Sequence, residues 1–112
     1  MKPLLSKKLT NFLDRFVNFE EAEFRNIEIT DPTTITLTFA TQDKNRAYDW
    51  ISVKLEFSAV SDVSLIDNNK LSFIDMSAGI TLENSGTSFA FKIKNSTCQI
   101  KSSTIKFEEG QF

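Results

Sequence analysis

The clearest alternation of apolar and polar residues predicts a half-buried strand over residues 48–57. The apolar members of this alternation are Ile51, Val53, Leu55 and Phe57. A period of two places one set of side chains on the buried face of a sheet and the other set on its outer face. Tyr48 and Trp50, the single residues of their types, fall in the outward set. The pattern therefore predicts a strand that carries two large aromatic side chains on its outer face.

Residues 3–17 show a helical period instead. Apolar side chains recur three or four positions apart, at Leu5, Leu9, Phe12, Leu13 and Phe16. This spacing forms a single stripe along one side of a helix. Pro3 suits the first helical turn, where its missing N–H costs no hydrogen bond. Because so wide a stripe has to be buried, we expect the helix to pack on the inner face of a sheet.

Residues 24–107 contain several shorter alternating stretches, which predict a sheet of six to eight strands in all. The first begins near Phe24 and places Ile27 and Ile29 inward. Asp31 and Pro32 then predict a turn in which the aspartate bonds to the backbone beyond the proline. Residues 59–71 have no clear period. The connections are short, so neighbouring strands should be antiparallel.

These elements predict one α+β domain over residues 1–112. One N-terminal helix, residues 3–17, packs on a curled, mainly antiparallel sheet, residues 24–107. The acidic tail, residues 108–112, is expected to fray, although Phe112 can dock. Eleven phenylalanines in 112 residues supply the core, since each buries a large apolar surface without a polar group to satisfy.

The composition argues against several kinds of chemistry. The chain has no His and one Cys, Cys98. It therefore lacks a ligand set for zinc and a base for a hydroxyl or thiol nucleophile. Its three glycines form no phosphate-binding loop. We expect no catalytic residue, no metal site and no cofactor, and we expect Cys98 to be a buried structural residue.

The charge pattern does not favour nucleic acid or membrane partners. The net charge is −2, whereas nucleic-acid-binding domains are usually basic. The longest apolar run has three residues, 89–91, far fewer than a membrane span needs. A lone cysteine and a start without a signal-peptide pattern predict a cytoplasmic protein.

Two groups of residues are candidates for binding a partner. One is the acidic passage before the first sheet strand, and the other combines aromatic with charged side chains at the start of the 48–57 strand. Acidic patches attract basic proteins, and Trp, Tyr and Arg anchor many interfaces. The candidates are Glu20, Glu21, Glu23, Arg46, Tyr48, Asp49 and Trp50.

Three stretches of the chain resemble small, uncharacterised, single-domain bacterial α+β proteins. They are residues 19–27, Tyr48-Asp49-Trp50, and residues 71–80. Some proteins of this kind are grouped with the immunity proteins of polymorphic toxin systems. The resemblance implies a non-enzymatic inhibitor that binds a toxin. Many such proteins carry His-Asp where this chain has Glu20-Glu21, so no role of that histidine transfers.

Three functions stay open on the sequence alone. The first is a protein-binding module, of the immunity type, that uses an acidic surface against a cationic toxin. The second is a self-associating module that forms a homodimer through the face of Tyr48 and Trp50. The third is a small-molecule-binding domain or a hydrolase that uses carboxylates among Asp49, Asp62 and Asp75.

Overall fold

A computed structural model describes all 112 residues of the chain. It contains one α-helix, α1 (Leu9–Arg15), and seven strands. The strands are β1 (Lys2–Pro3), β2 (Glu23–Asp31), β3 (Thr34–Asp43), β4 (Asp49–Ser64), β5 (Ile80–Asn84), β6 (Phe89–Ile93) and β7 (Gln99–Gln111). Short 3-10 turns occupy Ser6–Lys8, Val17–Phe19, Lys44–Arg46 and Asn68–Phe73. Every strand pair is antiparallel, which confirms the predicted α+β class.

The two longest strands, β4 and β7, form the centre of the sheet. The strand order is β2-β3-β4-β7-β6-β5. The far side of β7 is shared, because β6 pairs with its first half and β1 pairs with its second half. The edge strands are therefore β2, β5 and the two-residue β1.

The sheet curls strongly around its inner face. Phe39 on β3 and Phe91 on β6 have ring centroids only 6.4 Å apart, although β4 and β7 lie between their strands. Three strand spacings in a flat sheet would separate them by roughly 14 Å. The ring centroids of Phe12 in α1 and Phe107 in β7 lie 5.0 Å apart, so the helix packs inside the curl as expected. The buried core is therefore enclosed by the curled sheet on one side and by α1 on the other.

The predicted alternation along β4 is confirmed. The four apolar residues of the pattern, Ile51, Val53, Leu55 and Phe57, are at most 4% exposed. The Asp31 turn is also confirmed, because the Thr33 N–H donates to Asp31 Oδ1 at 2.9 Å. Ile29, however, was expected inward and is 60% exposed. Ile29 lies on β2, an edge strand, and lines an open groove together with Leu65 and Ile66.

The helix is shorter than the expected span of residues 3–17. Pro3 does not begin it but pairs with Lys106 in the sheet. The Leu4 N–H donates to the Ile105 carbonyl at 2.8 Å, and Leu4 is buried. The apolar stripe holds over α1, but its first residues are extended because β7 offers a free strand edge for them to pair with.

The C-terminal tail is not frayed. Residues 108–111 continue β7 and pair with residues 51–54 of β4, so that only Phe112 follows the last strand. The acidic composition of the tail suggested a solvated end, but the long edge of β4 pairs with all four residues and hydrogen-bonds alternate ones.

Residues 59–71, which show no clear period, contain the end of β4 and a segment that crosses to the edge strand β2. β4 bends at Ala59, whose φ of 53° is left-handed. Asn68 then bonds to β2 through its side chain, since Oδ1 accepts from the Ile27 N–H and Nδ2 donates to the Ile27 carbonyl, both at 2.9 Å. This amide imitates the peptide group of one more strand and covers part of the free edge of β2.

None of the chain's helical segments has the length and apolar character needed to cross a bilayer.

Candidate functional site

A cleft lined by aromatic and charged side chains lies where β4 begins and β7 ends. Ile51 pairs with Gln111, and this register brings Trp50 next to Phe112, with ring centroids 6.0 Å apart. Arg46 and Asp49 line the same cleft, whose volume is about 410 Å³. We call Arg46, Asp49, Trp50 and Phe112 the aromatic cleft.

Phe112 also connects the aromatic cleft to the acidic passage. The guanidinium of Arg25 lies 4.5 Å from the Phe112 ring centroid, and Arg25 Nη2 lies 2.9 Å from Glu23 Oε2. Because Arg25 is on β2 and Trp50 on β4, the Phe112 ring lies over the outer face between them. The carboxyl-terminal residue therefore covers part of Trp50, which stays 39% exposed.

The turn between β3 and β4 holds Tyr48 in an exposed position. The backbone of Ala47 and that of Tyr48 adopt the left-handed conformation, with φ of 56° and 66°. The Tyr48 N–H donates to the Asp43 carbonyl at 2.9 Å, and Gln42 Nε2 donates to the Tyr48 carbonyl at 3.3 Å. These bonds fix the backbone while the side chain stays 49% exposed. Left-handed conformations cost free energy for residues with a Cβ, so the surrounding bonds must maintain this one.

An ion cluster beneath the cleft joins α1 to the sheet. Arg15 of α1 donates to both oxygens of Asp43, at 2.9 and 2.8 Å, and to both oxygens of Glu109, at 3.1 and 2.6 Å. Arg46 approaches the same two carboxylates at 3.2 and 3.5 Å. Two arginines thus neutralise two carboxylates, and Asp43 is completely buried. We call these four residues the ion cluster.

The cluster shifts the pKa values of its members toward the charged forms. Hydrogen bonds from Arg15 lower the pKa of Asp43 and that of Glu109, and the same bonds raise the pKa of Arg15. Burial opposes each shift but is the smaller effect. The cluster therefore stays ionised at neutral pH and holds Arg46 at the mouth of the aromatic cleft.

Glu20 and Glu21 lie on a strained turn just before β2. Val17, Asn18 and Phe19 have φ between 54° and 58°, and Glu21 has a φ of 62°. The turn is held because Phe19 is fully buried and the Glu21 N–H donates to the Met76 carbonyl at 2.8 Å.

Gly79 makes this turn possible. A Cβ placed on Gly79 would lie 2.2 Å from the Asn18 carbonyl oxygen, and Gly79 itself has a φ of 74°. Any other residue would push the turn away and would be strained in its own backbone. The two carboxylates are thus displayed on a fixed segment rather than on a loose loop.

The structure brings some of the expected site residues together and leaves others apart. Arg46, Asp49 and Trp50 line one cleft, and Glu23 reaches it through Arg25. Glu20 and Glu21 precede Glu23 at the same end of the sheet but do not line the cleft. The sequence pattern does not reveal the roles of Arg15, Arg25, Asp43 and Glu109, and it predicts that Phe112 can dock without showing that Trp50 and Arg25 are the contacts. The signal for Phe112 is that it is a single aromatic residue after the acidic stretch of residues 108–111.

The carboxylates considered for hydrolysis do not form one site. Asp49 begins β4 and Asp62 stands near the other end of this strand, which runs from Asp49 to Ser64. A glycosidase pair needs about 5–10 Å. Asp75 accepts hydrogen bonds from the Ser77 N–H at 2.9 Å and from Asn95 Nδ2 at 3.1 Å. The Ser77 side chain, followed by the Ser77 N–H and Asn95, lowers the pKa of Asp75. The structure therefore gives these three residues no shared catalytic arrangement.

Cys98 is fully buried, as expected. Burial raises the pKa of its thiol to about 11, which keeps it protonated at neutral pH. No group of three or more His, Cys, Asp or Glu residues stands close enough together to hold a metal ion.

No protein-family model, curated protein or solved structure matches the chain.

Proposed function

We propose that the chain is a protein-binding module whose contact surface is the aromatic cleft together with Tyr48. The observation that carries this proposal is the grouping of three exposed aromatic side chains at one end of the sheet. Tyr48 is 49% exposed, Trp50 39% and Phe112 61%. Aromatic side chains with partial exposure and a fixed backbone are the usual anchors of protein interfaces.

The charges around the cleft favour a cationic partner. The positive charges of Arg25 and Arg46 are occupied by carboxylates of the same chain. Glu20, Glu21 and Asp49 are exposed, and none of them takes part in an ion pair. These three uncompensated carboxylates are negative, and they would steer a basic surface toward the aromatic residues.

The finer proposal is an inhibitor of the immunity type. A toxin that acts on an anionic substrate needs a cationic site, and an acidic surface with aromatic anchors can occupy such a site. Support comes from the rigidity of the surface, since the ion cluster fixes Arg46 and the strained turn fixes Glu20 and Glu21. A rigid surface loses little conformational entropy on binding.

Replacement of Trp50 by alanine should weaken partner binding strongly without unfolding the chain. Trp50 is on the outer face, and truncation of an interface anchor typically weakens binding by about 2 kcal/mol or more, a factor of roughly thirty. The measurement is quantitative mass spectrometry of the proteins that the wild-type and variant chains capture from the cells that encode the protein. Circular dichroism verifies the fold.

Phe73→Ala is the matched control, because Phe73 is 84% exposed and belongs to the Asn68–Phe73 turn, which packs on β2 rather than on the cleft. The proposal expects a basic partner that Phe73→Ala retains, that Trp50→Ala loses, and that elutes as salt is raised. Equal capture by both variants would contradict it. Recovery of only copies of the chain, together with a dimer in sedimentation, would favour the homodimer instead.

A further inference from the structure

The geometry points to a second site, a pocket for a small organic anion with an apolar body, between the N-terminal strand and α1. Its volume of about 530 Å³ exceeds the 410 Å³ of the aromatic cleft and falls in the range of small-molecule sites. We call it the basic pocket, and its main lining residues are Lys2, Leu5, Lys8, Phe12, Lys44 and Phe107.

The walls of the basic pocket are fixed by hydrogen bonds of the backbone. Lys2 pairs with Phe107 across β1 and β7, and the Leu4 N–H bonds to Ile105. The Lys8 N–H donates to the Leu5 carbonyl at 2.9 Å, which closes the turn into α1. The pairing of Pro3 into the sheet, instead of a longer helix, is what opens this space between strand and helix.

The charge of the basic pocket is positive and mostly uncompensated. Lys2 and Lys8 form no ion pair with any carboxylate. Lys44 has a long contact with the exposed Asp14, at 3.4 Å. Arg15 also lines the pocket, but the ion cluster already neutralises it. Lys8 therefore stands free to attract an anion, and Lys2 adds positive charge although it also lies near Glu109.

The remaining lining selects an anion that has an apolar portion. The Phe12 and Phe107 rings pack against each other at 5.0 Å at the pocket, and Leu5 is 48% exposed although it is apolar. Phe12 is already buried, but a fully hydrated inorganic anion would leave Leu5 and the exposed part of Phe107 in water. A carboxylate on an alkyl or aryl body would cover them and would place its charge beside the lysines, so we assign the pocket to that class.

Octanoate is the probe that tests this assignment. Titration of the isotope-labelled chain, followed by amide NMR, should give saturable shifts at Leu5, Lys8 and Asn11. Lys8→Gln should weaken octanoate binding roughly tenfold, because one charged contact is lost. Lys92→Gln, which removes an exposed lysine of β6, should leave the affinity unchanged.

Two further probes separate charge from apolar attraction. Octan-1-ol and octylamine carry the same alkyl body, and both should bind at least roughly tenfold more weakly than octanoate. The assignment is overturned if octylamine binds as tightly as octanoate, if Lys8→Gln and Lys92→Gln have equal effects, or if no saturable shifts occur. The site does not overlap the aromatic cleft, so its failure leaves the proposed protein-binding function standing.

Discussion

Replacement of Asp43 by alanine is expected to lower the free energy of unfolding by about 3 kcal/mol. Asp43 is fully buried and accepts two hydrogen bonds from Arg15 and one from the Asn45 N–H. Its removal leaves Arg15 with only Glu109 and leaves the Asn45 N–H without its acceptor. Urea unfolding followed by circular dichroism measures the change.

Asp14→Ala is the control, because Asp14 precedes Arg15 in α1 but is exposed and forms only the long contact with Lys44. It should change stability by no more than about 0.5 kcal/mol. Equal effects of the two replacements would show that the ion cluster contributes no more than an ordinary surface pair.

The pH dependence of stability gives the same test a second readout. Because the pKa of Asp43 and that of Glu109 are lowered in the folded chain, their contribution is complete above the unfolded values, about 4. This contribution to stability is lost as the pH falls below about 4 toward the lower pKa values of the folded chain. In Asp43→Ala this acid-side loss should be shallower than in the wild type, whereas Asp14→Ala should keep the wild-type slope.

Replacement of Phe39 by alanine should lower the free energy of unfolding by about 3–5 kcal/mol. Phe39 is fully buried, stacks on Phe24 at 4.6 Å and contacts Phe19 at 5.3 Å. Its neighbour across the curl is Phe91, at 6.4 Å. Phe73→Ala, at an exposed position, should cost no more than about 0.5 kcal/mol in the same urea experiment.

A double-mutant cycle tests the curl itself. If Phe39 and Phe91 meet across the inner face, Phe39→Ala and Phe91→Ala together should be non-additive by at least about 0.5 kcal/mol. Strictly additive effects would place the two rings apart, as a flat sheet would.

The sequence predicted the elements in which one local pattern extends over several residues. The alternation along β4 and the apolar stripe of α1 reflect burial at regular intervals within one continuous stretch. Both patterns can therefore be recognised without tertiary information. The starts and ends of elements were less predictable. Pro3 and residues 108–111 are extended because long-range strand partners are available to them, and no local pattern reports those partners.

The candidate site was predictable only in part, for a similar reason. The outward position of Trp50 and Tyr48 follows from the period of two, and the structure confirms that both are exposed. The cover that Phe112 gives Trp50 depends on the register between β4 and β7. The ion cluster joins residues as far as 94 positions apart, a separation that composition and spacing cannot show.

The basic pocket also depends on a long-range strand pairing that no local pattern reports. It exists because β1 leaves α1 to join β7, whereas the expected helix over residues 3–17 would have filled that space. The sequence offers Asp49, Asp62 and Asp75 for a small-molecule site, whereas the cavity of about 530 Å³ includes Lys2, Lys8 and Lys44 among its lining residues.

The most direct test of the proposed function is photo-cross-linking from position 48 in the cells that encode the protein. A photoreactive phenylalanine analogue replaces Tyr48, and the same analogue at Phe73 serves as the control. The proposal predicts covalent adducts with one basic protein from position 48 and none with that protein from position 73. Identical adducts from both positions, or adducts with the chain's own copies alone, would contradict it.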